Sequence, residues 1–304
     1  RNLERQVKEQ TSMLSKAMSQ LQKKNDELKY YTANLLNANN EIENHHKKLQ
    51  DLHAEVKDSI RAAQSIQQTI LPSPKIIRTV IPDMFIFNKP KDVVSGDFYW
   101  FDVIDNNIVL AAVDCTGHGV SGAFMSINAH HLINQAIYSH GGKLNASKIL
   151  DELNQNLIQS LHQDNGLVQD GMDISLCIVD KENHILEYAG ANSPVYIARD
   201  NQIIQLKPDK FPIGFTGRKI QKFTNHEITL QKSDAIYLFS DGYADQIGGE
   251  SGEEKFMYPK FRDTILSMHC KSMEEQGEIL NTIFENWKGK TPQTDDVLVM
   301  GFKL

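Results

Sequence analysis

A seven-residue spacing runs unbroken through the first part of the chain: Val7, Leu14, Leu21, Leu28, Leu35, Ile42, Leu49, Val56, Ala63 and Ile70. Taken as the a positions of a heptad, these residues place d at Leu3, Gln10, Ala17, Lys24, Tyr31, Ala38, His45, Leu52, Ser59 and Ile66. Every a residue is apolar, whereas several d residues are polar. A strict repeat of seven winds helices into a left-handed supercoil. At 1.5 Å per residue the rod would be about 100 Å long. So long a helix has no other place to bury its seam, so the pattern predicts a self-associating coiled coil, the alternative being an amphipathic helix folded back on its own domain. The polar d residues weaken the seam locally, which suits transmission of a small rotation better than permanent clamping.

Composition sets the boundary. Residues 1–72 contain no Gly and a single Pro, Pro72, and carry 11 Lys/Arg against 9 Asp/Glu. All 18 glycines fall in residues 73–304, which carry 21 Lys/Arg against 30 Asp/Glu. Pro72 and Pro74 stop a helix. Two parts are therefore expected: a signalling helix over 1–72 and a catalytic body over 73–304. The net charge of −7 argues against a nucleic-acid partner bound through a basic surface. No apolar run reaches the roughly 18 residues of a membrane span, and the opening RNLERQVKEQ does not have the character of a signal peptide. Three dispersed cysteines, Cys115, Cys177 and Cys270, form neither a disulfide framework nor a zinc site and fit a cytoplasmic setting. Because the first residue is Arg1, the chain is expected to be part of a longer protein or a processed product.

The body mixes strands and helices. Strand-like runs cover Ile108–Val113, Ile174–Val179, Ile185–Ala189, Val195–Ala198, Ala235–Phe239 and Val297–Phe302. Helical patterns cover Gly122–Ser139, Ala146–Leu161, Met257–Met268 and Met273–Trp287. Runs of strands interrupted by pairs of helices, without βαβ alternation, predict an α+β fold with antiparallel sheets.

Aspartates cluster at strand ends. Asp97 sits in Ser95-Gly96-Asp97-Phe98-Tyr99-Trp100, and Asp114 opens Asp114-Cys115-Thr116-Gly117-His118-Gly119. Asp241 stands in Ser240-Asp241-Gly242, and Asp295-Asp296 immediately precede Val297–Phe302. Any one of them reads most simply as a turn residue, because Asp-Gly is common in turns. If they converge, their mutual repulsion requires protons or a cation between them. Hard oxygen donors favour Mg²⁺ or Mn²⁺ over Zn²⁺.

In order and context these motifs resemble the bacterial metal-dependent serine/threonine phosphatases of the PPM or type 2C class, in the branch of the stage II sporulation phosphatase E and the sigma-B regulators. Tyr188-Ala189-Gly190-Ala191-Asn192-Ser193-Pro194 and Pro212-Ile213-Gly214 are similar to that family's intervening segments. The resemblance covers about residues 64–304. It implies two packed antiparallel sheets flanked by helix pairs, an αββα sandwich, behind an N-terminal coil that is a parallel homodimer driven by an upstream sensor, membrane-anchored or cytoplasmic. It also implies two Mn²⁺ or Mg²⁺ ions held by Asp97, Asp114, the backbone carbonyl of Cys115, Asp241 and Asp295, with Asp296 the alternative to Asp295. A water activated by the metals would then hydrolyse phosphoserine or phosphothreonine on a partner protein, of the anti-sigma-factor-antagonist type in relatives. His118 would help protonate the leaving group, or else hold an ordered water. A thiol at Cys115 beside such a centre would make the enzyme oxidation-sensitive. Two rival expectations stand beside this one: a pseudophosphatase kept as a partner-binding module, and a two-metal hydrolase of small phosphoesters.

Overall fold

The computed structural model describes residues 2–139, 144–162, 170–214 and 221–304. The chain divides into two compact units, Arg1–Ser59 and Ile60–Leu304. Helix α1 (Asn2–Ile70) supplies all the described structure of the first unit. Its heptad residues there lie open, with Leu14, Leu21, Leu28, Leu35, Ile42 and Leu49 all more than 60% exposed. The second unit starts at Ile60, ahead of the compositional break at Leu71-Pro72. Among the described residues no helix is long and apolar enough to cross a membrane.

In chain order the second unit continues with α2 (Pro74–Val80), β1 (Met84–Lys89), β2 (Phe98–Ile104), β3 (Asn107–Cys115), α3 (Gly119–Ser139), α4 (Ala146–Ser160), β4 (Met172–Asp180) and β5 (Ile185–Ala191). It is completed by β6 (Val195–Arg199), β7 (Gln202–Leu206), β8 (His226–Thr229), β9 (Ala235–Phe239), α5 (Gly242–Asp245), β10 (Ile247–Gly248), β11 (Glu254–Lys255), α6 (Tyr258–Met268), α7 (Met273–Lys288) and β12 (Val297–Phe302). One sheet has the order β1-β12-β9-β6-β7, the other β2-β3-β4-β5-β8, and β10-β11 is a separate small hairpin. Every pairing between named strands is antiparallel.

Strand β3 explains how the layers form. Side chains alternate across a strand. Ile108, Leu110 and Ala112 enter the core between the sheets, where they join Leu238, Leu298, Met300 and Phe302 of the opposite sheet. Val109, Ala111, Val113 and Cys115 enter a second core with Ala129, Ile133 and Ala136 of α3 and Leu150, Leu153 and Leu157 of α4. A strand buried on both faces must be apolar at consecutive positions, hence the unbroken Ile108–Val113 run. On the far side, Tyr237, Phe239, Val297 and Val299 meet Phe261 of α6 and Leu280 and Phe284 of α7 in a third core. The order helix pair, sheet, sheet, helix pair agrees with the fold that the resemblance implies. Local signals fix helix ends: Asn145 caps α4, and Ser272 with Glu275 forms a capping box on α7.

Leu298 is fully buried between the sheets. Leu298→Ala should therefore cost about 2–5 kcal/mol of unfolding free energy, because it leaves a cavity in a close-packed layer. Ser272→Ala, which removes only the cap of α7, should cost about 1 kcal/mol. Urea denaturation followed by circular dichroism measures both, and equal losses for the two would contradict this layering.

Candidate metal centre

Strand parity brings the aspartates to one end of the sandwich. Phe98 and Trp100 face the α3–α4 core, whereas Tyr99 faces the core between the sheets, so Asp97 shares the inter-sheet side. Asp114 has the parity of Leu110 and Ala112, which puts it on the same side. On β12, Leu298 and Met300 point between the sheets, and Asp296 follows their phase while Asp295 opposes it. Asp296 is accordingly buried and Asp295 exposed. Asp241 occupies the N-cap position of α5, yet its side chain makes no capping bond. Gly242 lets this turn close on β12, since a Cβ there would stand 1.9 Å from the carbonyl of Asp296.

The electrostatics follow from this crowding. Burial, and to a lesser degree the nearby Asp296 and Asp241, raise the Asp97 pKa to about 8, against a lowering contribution from its hydrogen bond with Ser240. Burial and the charges of Asp97 and Asp241 push Asp114 up to about 11. Asp241 is raised as well, by burial first and then by Asp245 and Asp295. Asp97 lies close enough to Asp114, and Asp114 to Asp241, for their carboxyls to share protons in place of counter-charge. No Lys or Arg acts on Asp97 or Asp114.

Two observations test whether this donor set fits a divalent cation. Asp97 Oδ2 is buried with no hydrogen-bond partner among the described residues, an orphaned acceptor of the kind that folded proteins rarely leave. Gly96 lies in a cradle of oxygens: a Cβ there would stand 2.6 Å from the Gly117 carbonyl, 3.0 Å from that of Cys115 and 3.6 Å from Asp296 Oδ2. The donors are hard oxygens and they fit Mg²⁺ or Mn²⁺. Among the described residues, however, no group of three or more His, Cys, Asp or Glu side chains stands ready to hold an ion. The carboxylates are held by shared protons instead.

The two adjacent aspartates have different partners. Asp296 accepts from the backbone N–H of Lys91 through Oδ1 and of Gly96 through Oδ2, both at 2.7 Å. Among the described residues the Asp295 side chain accepts the N–H of Asp296 at 2.8 Å and its carbonyl accepts from Gln293 Nε2 at 2.8 Å, and its field reaches Asp241. Cys115 turns its thiol into the α3–α4 core, where burial raises its pKa well above the usual thiol range. A thiol held protonated in a dry core is poorly reactive, which removes the physical basis for expecting oxidation sensitivity there. His118 is exposed, with Nδ1 2.9 Å from Asp92 Oδ2.

Three participants escaped the sequence reading. Asp173 stands directly opposite Asp114 in the β3–β4 register. Its pKa is raised to about 6, chiefly by burial, and Asn192 Nδ2 donates to its Oδ1 at 2.9 Å. An Asp heading the apolar run Ile174–Val179 was the available signal. Asp92, the partner of His118, had none. Gln67 of α1 is buried; its Nε2 donates to the Ser95 carbonyl and to Ser126 Oγ, and its Oε1 accepts from Ser95 N. Ser95 Oγ in turn accepts from Asp97 N at 3.1 Å. The neighbouring Ile66 is exposed, because Gln67 holds the inward position.

Residues 104–304 match the family model of stage II sporulation protein E. The chain belongs to the stage II sporulation protein E family. It is also 31% identical to the SiaA-PP2C domain of Pseudomonas aeruginosa, with a TM-score of 0.76, covering 83% of this chain and 98% of that domain. Phosphoserine phosphatase RsbU of Bacillus subtilis is 27% identical over 207 residues, 65% of this chain and 56% of that protein. The chain thus spans about half the length of the curated relatives it matches. RsbX, solved in complex with magnesium, shares the fold at a TM-score of 0.52 and 16% identity, covering 73% of this chain and 94% of that one. The second unit is therefore a PP2C-type phosphatase domain.

Raised carboxyl pKa values have a sign that can be checked. Between the unfolded value near 4 and the raised folded values, the native state binds more protons than the unfolded one, so stability falls as pH rises. In excess chelator, the melting temperature should drop from about pH 5 to pH 8. Added Mn²⁺ should raise it more at pH 8 than at pH 5, and Asp114→Asn should flatten the chelator profile. A chelator profile that rises over this interval in differential scanning calorimetry would contradict the buried acid cluster.

Proposed function

We propose that this protein is a metal-dependent phosphatase that removes phosphate from phosphoserine or phosphothreonine on a partner protein of the anti-sigma-factor-antagonist type, under control of its N-terminal helix in the cytoplasm. The observation that carries this reading is a cluster of aspartates that raise one another's pKa in a PP2C-type domain, with Asp97 buried, Asp114 half-buried and Asp97 Oδ2 left unpartnered among the described residues. Asp97, Asp114, Asp241 and the Cys115 carbonyl would hold two Mn²⁺ or Mg²⁺ ions. Asp295 is preferred over Asp296 because both Asp296 oxygens already accept backbone N–H groups. Bound cations would supply an activated water and neutralise the phosphoryl oxygens. Asp92 on Nδ1 orients the His118 ring and leaves Nε2 as the nitrogen that can hand a proton to the departing serine or threonine oxygen. Asp296 keeps the Lys91–Gly96 loop, and so Asp97, in place.

Two further observations support control through the helix. The heptad side chains from Leu3 to Val56 are exposed in the single chain, as a parallel homodimer seam requires. Gln67 ties the last turns of α1 to Ser95, two residues from Asp97, so a turn of α1 about its axis would move the loop that presents Asp97. An upstream sensor would act through that rotation.

Hydrolysis of a phosphorylated partner should require added Mn²⁺ or Mg²⁺ and disappear in chelator; undiminished activity after exhaustive chelation would sink the assignment. Asp97→Ala, Asp114→Ala and Asp241→Ala should each lower kcat by about 100-fold or more, with native circular dichroism. A folded wild-type protein inactive with either metal would favour the pseudophosphatase reading.

Light scattering should give a dimer for the whole chain and a monomer for residues 60–304, and a monomeric whole chain would refute the seam. Gln67→Leu should change kcat while leaving the dimer intact. Unaltered kcat would reduce α1 to a tether.

A further inference from the structure

Lys207, Lys210 and Arg262 meet around one cavity of about 530 Å³. The two lysines lie in the loop after β7 and Arg262 lies on α6, and the cavity is walled by Tyr196, Tyr258 and Asn192. No Asp or Glu lines it, although residues 73–304 carry 30 acidic against 21 basic side chains. Among the described residues none of the three cations has an ion-pair partner. Asp209, which lies between the two lysines in sequence, is already engaged, accepting from the N–H and Oγ1 of Thr224 at 2.7 and 3.1 Å.

The cavity adjoins the carboxylate cluster. Asn192 on its wall donates to Asp173, which faces Asp114 across the β-ladder. Tyr258 on its wall lies in the fields of Asp241, Asp245 and Asp114. The loop is fixed to this region by its backbone: Asn192 N donates to the Asp209 carbonyl, and Asp209 N to that of Gly190, both at 2.9 Å. A built, cationic, aromatic-walled pocket thus stands next to a centre whose own acids repel anions.

We propose that this pocket is a specificity subsite that takes an acidic side chain of the protein substrate, close in sequence to the phosphorylated residue. The inference rests on the phosphatase reading for what occupies the neighbouring aspartates. Three cations on two elements give a carboxylate side chain several ways to pair, and the tyrosine rings accommodate its methylenes and flanking backbone. Their positive field also draws an anionic segment toward a body that is negative overall.

The test uses the full chain and two fluorescein-labelled phosphoserine peptides, identical except that the residues flanking the phosphoserine are Asp/Glu in one and Ala in the other. Fluorescence anisotropy should show the acidic peptide binding about 10-fold tighter at low salt, with the advantage shrinking as ionic strength rises. Arg262→Glu should abolish or reverse that preference. Lys210→Glu, an exposed position where folding is not at risk, should weaken it in the same direction. Equal affinity for the two peptides, or a preference that survives both charge reversals, overturns the proposal. So does displacement of both peptides alike by inorganic phosphate, which would make the pocket a bare anion site. Turnover of p-nitrophenyl phosphate with Mn²⁺ judges the phosphatase reading separately. Turnover with equal peptide binding removes only the subsite, whereas discrimination without turnover removes only the phosphatase.

Discussion

Repulsion among crowded aspartates, with Asp97 fully buried and Asp114 half-buried, is the constraint around which this end of the catalytic unit is organised. Asp97, Asp114 and Asp241 arrive from separate strands, with Asp173 across the ladder from Asp114. A buried carboxylate without counter-charge is expensive. The protein offsets that cost with protons shared between carboxyl groups and with the contact of Ser240 on Asp97. The rest of the sandwich is built to hold them there. Three apolar layers fix the strand directions, strand parity aims the acids at the inter-sheet side, and Gly96 and Gly242 let the turns close on oxygen atoms that any larger residue would displace. Stability has been given up locally in exchange for a site that gains by taking up positive charge.

Much of this was legible beforehand, for a physical reason. A strand buried on both faces has to be written in consecutive apolar residues, so Ile108–Val113, Ala235–Phe239 and Val297–Phe302 announced themselves, and the aspartates at their ends stood out by contrast. Strands β1, β2, β7 and β8 were harder to see. The Asp102 and Asn88 positions interrupt β2 and β1, while β7 and β8 are short and half-exposed. The division of labour between Asp295 and Asp296 could have been read from parity with Leu298 and Met300. It was missed because parity fixes a role only once the facing sheet is known. Gln67 could not be found by any apolar pattern, since it is a polar residue in the inward position of a helix whose heptad marks a different face.

That last residue separates two properties of α1 that the repeat alone merges. The a positions describe a surface on which a second helix can lie. Gln67 belongs instead to the catalytic unit, and three hydrogen bonds link it to Ser95 and Ser126. One helix therefore carries two addresses, written in different chemistry: an apolar seam that tolerates sliding, and a polar clasp that does not. Hydrogen bonds of defined direction convert small angular displacements into large energetic differences, whereas a methyl-lined seam is forgiving.

The compositional break at Pro72 would seem the natural place to dissect this protein. A fragment cut there keeps every aspartate of the cluster and every strand, yet discards Gln67 and leaves the Ser95 carbonyl and amide to find water. Any difference from the whole chain would then mix the N-terminal helix with the loss of a single amide side chain that ties the Ser95 loop. Cutting at Ile60 keeps the clasp and gives the truer baseline.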